Sequence, residues 1–378
     1  MDVDHPLPLL GGLSPAQFMK RHWQKKPLLV RQAIPGFTAL LSRPELFALA
    51  GQEGVESRLV SAGRKGWQLR HGPFTRRALP PLTQPQWTLL VQGVDLHDAA
   101  VHALMQQFRF VPDARLDDVM ISYASDGGGV GPHIDSYDVF LLQAQGQRGW
   151  RIGQQRETAL VEGLPLRILA EFYPEHEYLL EPGDMLYLPP RWAHDGVAVG
   201  ECMTYSIGFQ QPSRGGLAQE LLQRLADEAV DALGETAYRD PGQTAVATPG
   251  RIPEAMLAFA REGLDRLLRQ TDLLPMLLGE ALTEPKPNVW FEASELETSE
   301  QTATLGAGVA LDRRTRMMYD ERHVFINGES FRASGRDARL MRQLADTRRL
   351  GAAELQALSA PAQELLTDWR LAGWLQDL

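Results

Sequence analysis

His133 and Asp135 close the run Gly127-Gly128-Gly129-Val130-Gly131-Pro132-His133-Ile134-Asp135. In an extended strand, residues i and i+2 share a face, so this spacing sets an imidazole beside a carboxylate. One more imidazole would complete a 2-His-1-carboxylate facial triad. That donor set suits non-haem Fe(II), because it leaves three coordination positions open. His-x-Asp alone carries little weight. With nine histidines in the chain, a surface histidine beside a solvated aspartate is an ordinary coincidence. The missing donor comes from the segment Glu181-Pro182-Gly183-Asp184-Met185-Leu186-Tyr187-Leu188-Pro189-Pro190-Arg191-Trp192-Ala193-His194. Pro182-Gly183 predicts a tight turn, Asp184–Leu188 a buried strand, and Pro189-Pro190 its end, with His194 just beyond. His133, Asp135 and His194 are therefore the candidate metal ligands. The glycines at 127–129 do not form a phosphate loop, since the lysine and the following helix are missing. They predict backbone passing close to a substrate entrance.

The elements that must position these residues follow from the pattern around them. Ser14 as N-cap and Pro15 at the first helical position predict a short helix over 14–24, and Leu28-Leu29-Val30 a buried strand. Short strands with Gly and Pro punctuation are expected from about 85 to 210. They are Trp87–Gln92, Val119–Ala124, Asp138–Gln143, Trp150–Ile152, Tyr178–Leu180, Met185–Leu188 and Met203–Phe209, with a helix at Asp95–Gln107. Many short strands argue for a sandwich or barrel. From 213 the period becomes helical: Leu217, Leu221, Leu225, Ala229 and Leu233 fall on one face, and Pro253–Gln270 and Leu273–Leu282 behave alike. Thr283–Pro287 is a linker candidate. Beyond it, Asn327-Gly328 between two apolar runs predicts a type I′ hairpin, with helices at Arg336–Ala345, Ala352–Ala357 and Pro361–Leu371.

Bulk properties narrow the function. The 378 residues are 44% hydrophobic and 23% charged, ordinary for a soluble globular chain. A net charge of −10 disfavours free nucleic acid as a partner of the whole molecule and favours cationic ones. The single cysteine, Cys202, excludes an intrachain disulfide and a multi-thiolate metal site, and fits a reducing cytosol. No signal-peptide pattern and no membrane-spanning apolar run is seen, so a cytoplasmic location is expected and a membrane partner is not.

The stretch Gly-Gly-Val-Gly-Pro-His-Ile-Asp-Ser-Tyr-Asp-Val-Phe, the later Gly-Gln-Arg-Gly-Trp-Arg-Ile-Gly and the His194 segment together resemble the JmjC oxygenases. They resemble most closely the bacterial ribosomal oxygenases that hydroxylate an arginine of a large-subunit ribosomal protein. Phe18…Trp23-Gln24-Lys25-Lys26-Pro27 is similar to that family's opening helix and strand. The likeness runs over most of the chain, strongest between 115 and 210 and loosest in the last hundred residues. It implies a mainly β double-stranded β-helix core of the cupin/JmjC type, an α-helical dimerisation region and an α+β winged-helix-like C-terminal domain. On this sequence the expected bounds are 1–212, with the core at about 90–212, then 213–283 and 284–378. It also implies Fe(II), 2-oxoglutarate as cosubstrate, molecular oxygen, a ribosomal protein substrate and a homodimer.

2-Oxoglutarate carries a free carboxylate at the end away from the metal, and a buried carboxylate calls for a fixed cation with a matching fork. The family pattern places that cosubstrate arginine at Arg148, expected to follow a turn at Ala144–Gln147. Arg151 is a rival of opposite strand parity. Ser122 and Ser206, each alternating with apolar neighbours, are either cosubstrate-binding groups or satisfied core hydroxyls. Tyr137, in parity with His133 and Asp135, is a candidate for substrate binding. Asp126 either pairs with a cationic substrate or caps the turn before the glycines.

Three other functions compete. A JmjC-type demethylase shares the metal site, but such enzymes more often use lysine than arginine for the cosubstrate. A metal-dependent cupin that does not use 2-oxoglutarate would not need Arg148. A winged-helix transcriptional regulator with a barrel sensor should be basic at its C-terminus, whereas residues 285–378 hold 12 Lys and Arg against 14 Asp and Glu. Direct DNA binding is therefore not expected.

Overall fold

Ser14 accepts a hydrogen bond from the Gln17 N–H while the Gln17 side chain bonds back to the Ser14 N–H, a capping box that starts α1 (Pro15–Arg21). Beyond it, β1 (Leu28–Val30) is the first strand of a ten-stranded antiparallel sheet. The computed structural model describes residues 2–63, 66–270, 272–292 and 307–378, and the chain divides into two compact units, 1–211 and 212–378.

In the first unit, α2 (Arg43–Leu49) is followed by β2 (Ser57–Gly63), β3 (Gly66–His71) and β4 (Trp87–Val91), then α3 (Ala99–Gln106). The rest is β5 (Leu116–Ala124), β6 (His133–Ile134), β7 (Val139–Gln154), β8 (His176–Leu180), β9 (Met185–Leu188) and β10 (Trp192–Phe209). The two long strands β7 and β10 run together and roll the sheet, because each changes its outer partner along its length. β7 pairs with β9 over 139–142 and with β8 over 148–152. β10 pairs with β6 over 193–194 and with β5 over 202–209. One face buries a core of Phe18, Trp87, Phe140, Tyr187, Tyr205 and Phe209.

Four expectations change. No turn separates two strands at Ala144–Gln147. β7 continues through it, bent at Gly146 (φ +64), where a Cβ would meet the Glu201 carbonyl at 2.1 Å. His194, expected just beyond the strand that Pro189-Pro190 ends, lies within β10, because the chain re-enters the sheet at Trp192. β2 and β3 extend the sheet before residue 85, in a stretch whose polar composition hid them. The strand carrying His133 stops after two residues, so parity does not govern Tyr137. The glycines at 128 and 129 face neighbouring strands: added Cβ atoms would stand 2.4 Å from the Trp87 carbonyl and 2.6 Å from that of Gly196. They allow strand-to-strand contact. The Pro182-Gly183 turn forms as expected, with Gly183 at φ +91 and the Asp184 N–H bonded to the Glu181 carbonyl.

The second unit opens with α4 (Arg214–Leu233), α5 (Glu254–Leu268) and α6 (Leu273–Thr283), which share a small core of Leu225, Leu267, Leu273 and Leu277. Then come β11 (Gly308–Leu311), β12 (Met317–Tyr319), β13 (His323–Ile326) and β14 (Glu329–Arg332). Ile326 pairs with Glu329 across Asn327 (φ +47) and Gly328 (φ +88), the hairpin turn expected there. α7 (Gly335–Thr347), β15 (Arg349–Gly351), α8 (Ala352–Ala357), α9 (Ala360–Leu371) and β16 (Leu375–Asp377) complete it around Ile326, Leu344, Leu366 and Trp369.

Candidate active site

β6 and the start of β10 pair directly, with His133 opposite His194. This register, which local sequence cannot reveal, brings the two imidazoles to a ring-centre distance of 4.2 Å. Asp135 follows β6 and turns its carboxylate toward both: Oδ1 lies 3.9 Å from His133 Nε2 and Oδ2 lies 3.6 Å from His194 Nε2. One ligand atom from each of the three falls within 4.8 Å of the others.

The backbone fixes which nitrogens face inward. His133 Nδ1 is 2.9 Å from the Gly131 carbonyl and His194 Nδ1 is 3.0 Å from the Trp192 carbonyl. A carbonyl only accepts, so each Nδ1 donates, and each Nε2 keeps its lone pair for a metal. Burial first, then neighbouring His133, pushes His194 down to about 4, and Asp135 opposes this. The imidazole is therefore neutral at neutral pH, the form a metal ligand must take. Two imidazoles and one carboxylate fit a divalent cation with an open coordination face.

Arg148 stands on β7 with its side chain buried in the same cavity of about 410 Å³ that His133, Asp135 and His194 line. Nη1 donates to Ser122 Oγ at 3.1 Å and to Thr204 Oγ1 at 3.4 Å, and Nη2 donates to the Gly196 carbonyl at 3.1 Å. Its Nε has no partner and, among the described residues, no carboxylate pairs with it. Burial pushes its ionisation below the ordinary arginine value, against the fields of Cys202 and Asp195. The guanidinium still stays charged at any ordinary pH. A buried arginine that lines a cavity and has no carboxylate partner among the described residues fits the distal carboxylate of a dicarboxylate such as 2-oxoglutarate. Arg151, its rival, is half exposed and paired with Asp195 at 2.5 Å. It does not line the cavity.

Ser122 and Ser206 both line the cavity. Ser122 is the hydroxyl that receives Arg148. Tyr137 lines it as well, although the residue is 39% exposed. Its phenol is pushed well up, first by burial, then by the charges of Asp135 and Asp118. Asp126 is not brought in. Its exposed carboxylate accepts the Gly200 N–H at 2.8 Å, which is a turn-stabilising contact.

Sequence reasoning missed Asp118, Thr204 and Arg58, all lining the cavity. Asp118 shares strand parity on β5 with Met120 and Ser122, and Thr204 shares it on β10 with Ser206, so alternation alone would have found both. Arg58 lay on the unrecognised β2.

Two family models match the chain: JmjC domain over residues 103–217 and ROXA-like winged helix over residues 266–376. The ribosomal protein uL16 3-hydroxylase of Escherichia coli (strain K12) is 42% identical over 214 residues, 55% of this chain and 56% of that protein. A probable ribosomal oxygenase of Haemophilus influenzae is 34% identical over 220 residues, 57% of this chain and 54% of that one. The chain thus spans little more than half the length of these curated relatives. Among solved structures, YcfD, a ribosomal oxygenase from Escherichia coli in complex with cobalt and 2-oxoglutarate, gives a TM-score of 0.79 at 31% identity. That match covers 96% of this chain and 97% of the other.

Proposed function

The chain belongs to the JmjC-domain ribosomal oxygenases, and from that premise we propose that it is an Fe(II)- and 2-oxoglutarate-dependent protein hydroxylase acting on an arginine of a large-subunit ribosomal protein. One observation carries this reading: a single cavity holds a two-histidine, one-carboxylate donor set and a buried arginine that lacks an ion-pair partner among the described residues. A cupin that did without a dicarboxylate would bury that cation at a loss. When bound, Fe(II) with 2-oxoglutarate would supply the oxidising chemistry that puts one atom of molecular oxygen into a substrate C–H bond, the other ending in succinate as carbon dioxide is lost.

The chain's own residues supply position and exclusion of water. His133, Asp135 and His194 would hold the metal, a three-donor set that leaves further coordination positions free. Arg148, steadied by Ser122, Thr204 and the Gly196 carbonyl, sets the far end of the cosubstrate. Asp118 and Tyr137 line the same cavity, where a guanidinium would meet a carboxylate and an aromatic ring. The acidic net charge of the chain favours approach of a basic protein.

The same reading includes a cytoplasmic homodimer, joined through residues 213–283, whose region 284–378 makes no direct DNA contact. Among the described residues no helix is long and apolar enough to cross a membrane. The deciding assay is succinate release with Fe(II), 2-oxoglutarate and oxygen, with and without ribosomal proteins. The uL16 protein named in the Escherichia coli relative is the first to try. A gain of one oxygen in mass on an arginine of one protein is the expected result. Turnover with no ribosomal protein oxidised would remove the substrate and leave the oxygenase.

A further inference from the structure

Gln143 is fully buried on β7, directly opposite Thr204 on β10, and it does not line the cavity. Its amide nitrogen donates to the carbonyls of Gln145 at 2.9 Å and Gly146 at 3.3 Å, where β7 bends. Both N–H groups are thereby used, and the amide has one allowed orientation. Turned over, its oxygen would face two carbonyl oxygens. In the allowed orientation the oxygen accepts from Thr204 Oγ1 at 2.9 Å. A threonine hydroxyl has one proton. Once that proton points to Gln143, Thr204 can only accept on its other side, which is where Arg148 Nη1 stands at 3.4 Å. Ser122 is turned the same way: its proton goes to the Thr204 carbonyl at 3.4 Å and its oxygen receives Arg148.

The hydrogen bonds therefore run in one direction, from Arg148 through Thr204 and Gln143 to the carbonyls of the bend. Each bond in such a chain polarises the next, and in a dry interior this disperses positive charge from a buried cation. We propose that Gln143 is a positioning residue for the cosubstrate: acting through Thr204, it sets which N–H groups Arg148 turns toward the cavity. The inference rests on the reading that this cavity takes 2-oxoglutarate. It assigns a role to a side chain that touches neither metal nor cosubstrate.

The test is calorimetric titration of 2-oxoglutarate into cobalt-loaded full-length protein, with cobalt affinity measured separately. Gln143→Met and Thr204→Val remove the hydrogen bonds and keep the approximate shape. Each should weaken 2-oxoglutarate binding about tenfold and leave cobalt affinity unchanged. The double variant should be no worse than the weaker single one, because both break the same chain. Thr204→Ser, which restores the hydroxyl, should bind like wild type. If Gln143→Met does not fold, Gln143→Glu takes its place and should lose at least as much affinity, since its charge competes for Arg148. Wild-type affinity in both single variants, or losses that simply add, overturns the positioning role while the cosubstrate reading stands. Failure of the wild-type protein to bind 2-oxoglutarate would overturn both.

Discussion

Gly196 is bare because Trp150 and Arg148 together occupy the space a side chain would need. A Cβ at 196 would stand 2.8 Å from Arg148 Nε and 2.6 Å from the Trp150 ring. The Gly196 carbonyl meanwhile accepts from Arg148 Nη2, and the Trp150 ring centre lies 5.0 Å from the guanidinium carbon. One glycine thus lets the arginine lie against β10 and stack on Trp150. Gly196→Ala should displace the guanidinium and overpack the site by about 1–3 kcal/mol. The expected outcome is a lower melting temperature together with weaker 2-oxoglutarate binding. Unchanged cosubstrate affinity would mean that the arginine has room to shift without consequence.

His133→Ala and Asp135→Ala should each abolish turnover and strongly weaken metal binding, since a three-ligand set has no spare donor. Both residues are partly exposed at the cavity, outside the main core, so circular dichroism should still show a folded chain. Normal activity in either variant would refute the metal assignment.

Arg148→Met tests function and stability with opposite signs. Loss of one partner of a buried charge pair costs about 3–5 kcal/mol, or about two to three and a half decades in 2-oxoglutarate affinity. Without cosubstrate, however, Arg148 is a buried cation with no ion-pair partner among the described residues. Its removal should leave the free protein equally or more resistant to heat. Arg151→Met should leave 2-oxoglutarate affinity alone. Reversal of that order would transfer the cosubstrate role to Arg151.

The helices between 213 and 283 expose Leu222, Val230, Leu264 and Leu268, each more than half accessible. Their shared core is only a few leucines deep. Such faces call for a second covering surface. Light scattering at micromolar concentration should give twice the chain mass of 42.1 kDa. Leu222→Glu combined with Leu264→Glu should give a monomer that melts earlier. A wild-type monomer would sink the proposed dimer.

How far the site could be read from sequence depended on whether its geometry is local. His133 and Asp135 were legible because two residues of one segment set their relation. His194 was legible as a residue but not as part of a strand, since its place in β10 depends on pairing with β6 and β7. Ser122 and Ser206 were visible through alternation. Asp118 and Thr204 obeyed the same alternation and were passed over because an aspartate in a strand resembles a surface residue. Gln143 and Gly196 were illegible: their importance comes from what lies across the sheet. Asp126 shows the converse, a chemically suggestive residue beside glycines whose carboxylate serves the Gly200 backbone.

If the substrate is an arginine, as proposed, Asp118 is one of the cavity-lining acids that would meet its guanidinium. It lies on β5 in register with Met120 and Ser122, which also line the cavity. Its charge reaches the cavity, since it helps to push the Tyr137 phenol upward. Asp118 Oδ2 already accepts the Gly93 N–H at 2.8 Å. An asparagine can keep that acceptor while losing the charge, so Asp118→Asn separates structural support from ion pairing. The variant should fold normally and raise the KM for an arginine-bearing ribosomal peptide by about ten- to a hundredfold, as expected for a charge-assisted hydrogen bond worth about 1.5–3 kcal/mol. Its 2-oxoglutarate affinity, measured without peptide, should stay near wild type because Arg148 is held by other groups. Asp126→Asn is the matched control and should leave the peptide KM unchanged, since its carboxylate serves a turn outside the cavity. A peptide KM that responds to Asp126 and not to Asp118 would place substrate recognition on the glycine loop and remove it from β5.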